Sequence, residues 1–218
     1  MNKTAKQREE AAMKKTMWAI FAMLLFSPVA FAADEIVLLP GWGQTNNQLA
    51  VLGKKIGGEA IMIESRLPLW TAAEELKEEL KKRGKTGKII IIGFSWGGLV
   101  ARQFAETYPE KVAAIVVIGS PNGGYWFAPA APFWVSAERS SNVPLFVIAG
   151  EKSASKWWLR EINDGVVDLD SVFDLPIPPK GGMILNLSHD ELWKSGVVAD
   201  QIKTWLAALR PKDLLVAR

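Results

Sequence analysis

Ser95 lies in Gly93-Phe94-Ser95-Trp96-Gly97-Gly98, directly after the isoleucine run Lys88–Ile92 and at the head of a helical segment, Trp96–Thr107. A serine at a sharp strand-to-helix turn projects its hydroxyl above a sheet, and glycines two residues to either side let neighbouring backbone come close. The following helix aims its positive amino end at the same place, where negative charge would develop. A hydroxyl is a poor nucleophile until a base takes its proton. The chain holds one histidine, His189, in Leu187-Ser188-His189-Asp190 after the last apolar run. Serine and histidine in these settings point to nucleophilic acyl chemistry.

An imidazole base needs an acid to hold its tautomer. Six acids stand between the run Leu145–Ala149 and His189: Glu151, Glu161, Asp164, Asp168, Asp170 and Asp174. Asp164 is favoured, because Asn163-Asp164-Gly165-Val166-Val167 makes a tight turn that can push a carboxylate inward. Glu151, nearest the strand end, is the rival. A fourth part is an oxyanion hole. Ile36–Leu39 runs into Pro40-Gly41-Trp42-Gly43, whose backbone N–H at Trp42 can pair with that of Trp96, the residue after the nucleophile.

Composition removes the competing chemistries. The absence of cysteine excludes a thiol nucleophile, a disulfide scaffold and thiolate-held metal, and a single histidine excludes a multi-histidine metal centre. No metal or cofactor is expected. The formal charge of +3 belongs to residues 1–33, which hold five bases and two acids; the remaining 185 residues are balanced. No basic field is left for a nucleic acid.

That basic segment reads as an export signal. Lys14 and Lys15 precede an apolar core, Met17–Phe26; Ser27-Pro28 breaks it before Ala30-Phe31-Ala32, a small-x-small cleavage site. Residues 1–32 are expected to be a Sec signal peptide cut after Ala32, leaving 33–218 as one periplasmic or secreted domain. The alternative is an uncleaved anchor in the inner membrane. Translation starting at Met13 instead of Met1 also yields a well-formed signal.

The elements that must position these residues alternate. Apolar runs of strand length occur at Ile36–Leu39, Ala60–Ile63, Lys88–Ile92, Val112–Ile118, Leu145–Ala149 and Met183–Leu187. Continuous runs suit parallel strands buried on both faces. Between them, a helix is expected from Thr71 to Arg83, with Thr71 and Glu74 forming a capping box and Gly84 ending it. Others are expected at Trp96–Thr107 and at about Val197–Leu209. This is an α/β pattern of about six mostly parallel strands with helices on both faces. Two stretches interrupt it: Ser120–Asn142, rich in proline and aromatics, and Glu151–Lys180.

With these residues in place, the chain resembles the α/β-hydrolase superfamily, most of all its small bacterial lipases and esterases. Ser95, Asp164 and His189 follow that family's order of nucleophile, acid and base. The sequence around Ser95 is similar to its nucleophile elbow, Pro40-Gly41-Trp42-Gly43 to its oxyanion loop, and Gly119-Ser120-Pro121-Asn122-Gly123-Gly124 to the glycine-rich loop after its next strand. Pro40 stands where the family usually has histidine. The resemblance implies a minimal sheet lacking the family's first two strands. It also places the second apolar run outside the first, with the other four in chain order on the first run's opposite side.

The expected activity is hydrolysis of carboxylic esters through an acyl-enzyme, with a small-molecule or lipid ester as substrate. Tyr125, Trp126, Phe127, Phe133 and Trp134 are candidates for an acyl pocket, and Trp157 and Trp158 precede the acid loop. Tryptophan suits a boundary between apolar and aqueous phases, so transient contact with a lipid interface is also expected. A thioesterase or acyltransferase would use the same residues. A non-catalytic lipid- or peptide-binding module is a further alternative.

Overall fold

The computed structural model describes residues 36–65, 67–123, 142–153, 159–160 and 162–209, all within the compact unit Phe31–Arg218. Residues 1–32, expected to be an export signal, and the pocket candidates Tyr125, Trp126, Phe127, Phe133 and Trp134 lie outside the described residues, as do Trp157 and Trp158. Among the described residues no helix is long and apolar enough to cross a membrane.

Among the described residues six strands form one sheet: β1 (Ile36–Leu39), β2 (Glu59–Ala60), β3 (Ile89–Phe94), β4 (Val112–Ile118), β5 (Leu145–Gly150) and β6 (Gly181–Leu185). Every pairing is parallel, and the order is β2-β1-β3-β4-β5-β6. This is the order the family resemblance implies. The apolar runs make it possible, since β1, β3 and β4 are buried along their whole length.

Two apolar layers cover the sheet, and alternate strand residues feed them. Val37, Leu39 and Ile91 enter one layer with α2 (Leu69–Lys82), α3 (Trp96–Thr107) and α4 (Leu169–Phe173). Ile36, Leu38, Ile90 and Ile92 enter the other with α1 (Asn46–Ile56), α5 (His189–Leu192) and α6 (Gly196–Ala208). The period-two side-chain alternation of strands therefore places helices on both faces.

Three local expectations are corrected, and one helix comes in addition. The helix expected from Thr71 begins at Leu69, with Pro68 as its N-cap and no side-chain cap. Burial of Leu69 in the core and the bond from Ala72 N–H to Pro68 O start the helix a turn early, so Thr71 and Glu74 do not form a capping box. The strand expected over Ala60–Ile63 pairs only at Glu59–Ala60: its one neighbour, β1, turns away after Leu39, and the last bond runs from Ile61 N–H to Leu38 O. The last strand is an edge with half-buried and exposed residues alternating, not one buried on both faces, and it ends at Leu185, where Leu187 N–H turns back to Leu185 O. Helix α1, finally, is not among the elements expected from the sequence, although Leu49, Leu52 and Ile56 recur at helical spacing along its buried side. A reciprocal capping box between Thr45 and Gln48 starts it, and Gly57 in the left-handed region closes it.

Candidate active site

β1 and β3 are neighbours, and the chain leaves β1 toward β2 on one side before returning to β3 on the other. Open α/β sheets bind ligands outside the carboxyl ends of the strands at such a reversal. The pairing of Leu39 with Gly93 sets the two following loops side by side. Gly41 and Ser95, each two residues further on, meet so closely that a Cβ on Gly41 would lie 3.1 Å from Ser95 Cβ.

Ser95 links β3 to α3 with φ 51° and ψ −120°. Among the described residues it is the one non-glycine residue with positive φ. Such a backbone costs about 1–3 kcal/mol and persists only where the surroundings hold it. Here the hold is visible. Ser95 N–H donates to Ile118 O at 2.8 Å, and Gly98 N–H donates to Ser95 O at 3.0 Å. The flanking glycines are needed for contact. A Cβ at Gly93 would stand 2.4 Å from Gly97 O, and one at Gly97 would stand 2.3 Å from Leu39 O. The turn is thus packed backbone against backbone on β1, and Trp96 opens α3 with its side chain in the core.

His189 and Asp164 come together at the same end of the sheet. His189 Nδ1 lies 2.7 Å from Asp164 Oδ2, and His189 N–H donates to Asp164 O at 2.8 Å. An ionised carboxylate only accepts, so the ring hydrogen belongs on Nδ1, which leaves Nε2 with its lone pair free for a proton. The acid is fixed in turn. Asp164 Oδ1 accepts from the N–H groups of Val166 at 2.9 Å and Val167 at 2.7 Å. Gly165, at φ 93°, lets the loop close, and Asp164 is only 1% exposed. Glu151 lies at the end of β5 with an exposed side chain, so the rival acid is not the one against the histidine. Among the other acids, Asp168 accepts from Arg160 N–H at 2.5 Å and Asp170 pairs with Arg160 at 2.8 Å.

The surroundings of the pair include residues that their types alone do not single out. The Phe94 ring packs on the His189 ring with centroids 4.7 Å apart. Gly119, at φ 55°, keeps the space beside both partners clear, since a Cβ there would stand 3.1 Å from His189 Nδ1 and 3.2 Å from Asp164 Oδ2. Ser188 and Glu191 form a capping box that starts α5 at His189. Arg102, nearly buried, bonds Asn122 Oδ1 at 3.2 Å, and Asn122 Nδ2 bonds Val172 O at 2.6 Å, which ties α3 through the glycine-rich loop to α4. Burial lowers the Arg102 pKa, and the charges of Glu106 and Asp174 oppose that fall.

Trp42 is the second residue of the turn Gly41–Gln44, closed by Gln44 N–H to Gly41 O at 3.2 Å, and its side chain is exposed. Trp96 is the first residue of α3. Among the described residues no hydrogen bond joins the Ser95 hydroxyl to His189. Unliganded sites often hold this contact open until substrate arrives. A cavity of about 220 Å³ opens beside Arg102, Val143, Leu145 and Ile177. It lies at the amino ends of β5 and β6 and is not part of this site.

Comparison with known proteins bears on the fold that carries these residues. The sequence profile of the alpha/beta hydrolase fold matches residues 39–139. The chain has the α/β-hydrolase fold. Over 94 residues it is 31% identical to the pimeloyl-(acyl-carrier protein) methyl ester esterase of Salmonella newport, covering 39% of this chain and 36% of that protein. The hydrolase-fold chain thus spans about a third of that relative's length. Among solved structures it resembles the mature form of Bacillus licheniformis lipase BlEst2, with a TM-score of 0.57 and 16% identity over 84% of this chain and 95% of that one. It also resembles MGS-MChE2, an alpha/beta hydrolase enzyme from the metagenome of sediments of the lagoon of Mar Chica, Morocco, with a TM-score of 0.58 and 18% identity over 78% and 89% of the two chains. At such identities the structural likeness speaks for the fold.

Proposed function

We propose that this α/β hydrolase is a serine carboxylesterase acting on lipid-like or other acyl esters. The observation that carries the reading is the 2.7 Å contact between the His189 ring and the buried Asp164 carboxylate, at the sheet end where Ser95 sits strained between β3 and α3. Ser95 Oγ attacks the ester carbonyl carbon as its proton passes to His189 Nε2. Asp164 stabilises the imidazolium through Nδ1–H. The carbonyl oxygen becomes an oxyanion, for which the N–H groups of Trp42 and Trp96 are the donors. Losing one such donor costs about 2.7–4 kcal/mol of barrier. The C–O bond to the alcohol then breaks, and His189 returns the proton to the departing oxygen. Water, deprotonated by the same imidazole, cleaves the acyl-enzyme and restores Ser95.

In this reading the acyl group is the recognised part of the substrate, and Tyr125, Trp126, Phe127, Phe133 and Trp134 remain the residues whose types suit it. A panel of p-nitrophenyl esters from acetyl to dodecanoyl tests it. The expected result is turnover that rises with chain length and vanishes in Ser95→Ala. A sharp preference for acetyl over octanoyl overturns the lipid reading, and turnover retained by pure Ser95→Ala overturns the nucleophile. The export signal assigns the enzyme to the periplasm or the medium. Fractionation of cells expressing the full chain, with sequencing of the mature amino terminus, should give a chain beginning at Ala33. A chain retained in the membrane fraction with its first residues intact supports the anchor instead.

A further inference from the structure

We infer that Gln44 is a positioning residue that aims the oxyanion donor Trp42 N–H, an inference that rests on the serine-hydrolase reading above. Gln44 grips Gly41 twice. Its backbone N–H donates to Gly41 O at 3.2 Å, and its side-chain Oε1 accepts from Gly41 N–H at 2.9 Å. The peptide groups on both sides of Gly41 are therefore held by one residue. In a trans peptide the C=O and the following N–H point in opposite directions, and no cis bond occurs among the described residues. Holding Gly41 O toward Gln44 thus turns Trp42 N–H the other way.

The neighbours leave this loop little freedom. A Cβ on Gly41 would stand 3.0 Å from Phe94 Cδ1, 3.1 Å from Ser95 Cβ and 3.3 Å from Gln44 Oε1. The space a side chain on Gly41 would need is therefore taken by Phe94, the nucleophile and the Gln44 carboxamide. Pro40 has no N–H, so Gly41 N–H is the first amide after β1, and it is buried. An unpaired buried donor is costly, and the Gln44 carboxamide satisfies it. Gln44 is itself anchored from behind, because Thr45 N–H bonds Gln48 Oε1 at 2.9 Å where α1 begins. Preorganised donors stabilise an oxyanion because they need no reorientation during the reaction. Gln44 supplies that preorganisation to a loop that opens with Pro40.

The test is Gln44→Met, which keeps side-chain length and the backbone bond to Gly41 O but removes the acceptor. Wild type, Gln44→Met and Ser95→Ala are assayed on an aryl ester and on the matching thionoester, whose sulfur is a weak acceptor and gains little from an oxyanion hole. The expected result is a fall in kcat of about 10- to 100-fold with KM nearly unchanged, and a smaller ester-to-thionoester ratio of kcat/KM. A wild-type kcat and ratio in Gln44→Met overturns the role. So does a reduced kcat with an unchanged ratio, which marks a general packing defect. Full turnover in Ser95→Ala, or none in wild type, overturns the serine-hydrolase reading and the role of Gln44 with it.

Discussion

Asp164→Asn separates the role of the acid from its place in the fold. Asp164 Oδ1 accepts from Val166 and Val167 N–H at 2.9 and 2.7 Å, whereas Oδ2 faces His189 Nδ1 at 2.7 Å. An asparagine must keep its oxygen on the two backbone donors, since the reversed amide would set its NH2 against them. Its nitrogen then faces His189 Nδ1, and two donors cannot share one hydrogen bond. The imidazole is driven to the tautomer with hydrogen on Nε2, which cannot accept the Ser95 proton. A triad acid changed to its amide loses about 10⁴ in kcat, or about 5.4 kcal/mol at 1.36 kcal/mol per decade. Stability should fall far less, by about 1–2 kcal/mol, because only one charge-assisted bond is lost while the backbone bond from His189 N–H to Asp164 O remains. Steady-state kcat on a p-nitrophenyl ester, beside thermal unfolding of the same samples, reads both numbers. Glu151→Gln is the companion variant and should leave kcat unchanged, since that side chain is exposed at the end of β5. An Asp164→Asn protein keeping more than about a tenth of wild-type kcat refutes the reasoning, as does a Glu151→Gln protein with the large loss.

Two further perturbations follow from the packing and charge around the site. Gly98→Ala places a Cβ 1.9 Å from Ser120 Oγ and 2.9 Å from Ser120 Cβ; it should destabilise by at least about 1–3 kcal/mol. Adding Ser120→Gly should recover much of that loss in denaturant unfolding, and a double variant no more stable than the single would place the strain elsewhere. Glu191 is held down to about 2, first by the Ser188 backbone N–H and then by Lys152 and the Ser188 hydroxyl. A depressed carboxylate contributes stability above its unfolded value and loses it as pH falls through the folded one. Glu191→Gln should therefore flatten the decline of Tm between about pH 4.5 and pH 2, and a decline as steep as wild type counts against that linkage.

Much of the fold was legible because it rests on long apolar runs. Ile89–Ile92 and Val112–Ile118 are buried on both faces, and a strand of that kind has no polar periodicity to confuse it with a surface helix. Elements with weaker burial were read less well. β2 and β6 are edges whose pairing stops where a single neighbour stops, and hydropathy cannot register that. Helix α1 joins the Thr45–Gln48 box to a short apolar stripe of Leu49, Leu52 and Ile56, which is easily passed over beside the long strand runs. At the site, Ser95 and His189 stood out as a serine in a glycine-rich turn and a sole imidazole. Asp164 was separable from Glu151 because Gly165 permits the inward turn. Gln44 and Phe94 carried no such mark, because a glutamine three residues after a glycine and a phenylalanine at a strand end are ordinary until register brings them beside Ser95 and His189. Gly119 was visible only as part of a glycine-rich loop; its closeness to the acid and base comes from the pairing of β4 with β5.

In the proposed mechanism Ser95 is the nucleophile, activated by a histidine that Asp164 orients. Labelling the folded protein with a fluorophosphonate and mapping the adduct by peptide mass spectrometry tests it most directly. The expected result is one adduct, on the peptide bearing Ser95, absent from Ser95→Ala and greatly slowed in Asp164→Asn. An adduct on another residue, or labelling of Ser95→Ala at the wild-type rate, contradicts it.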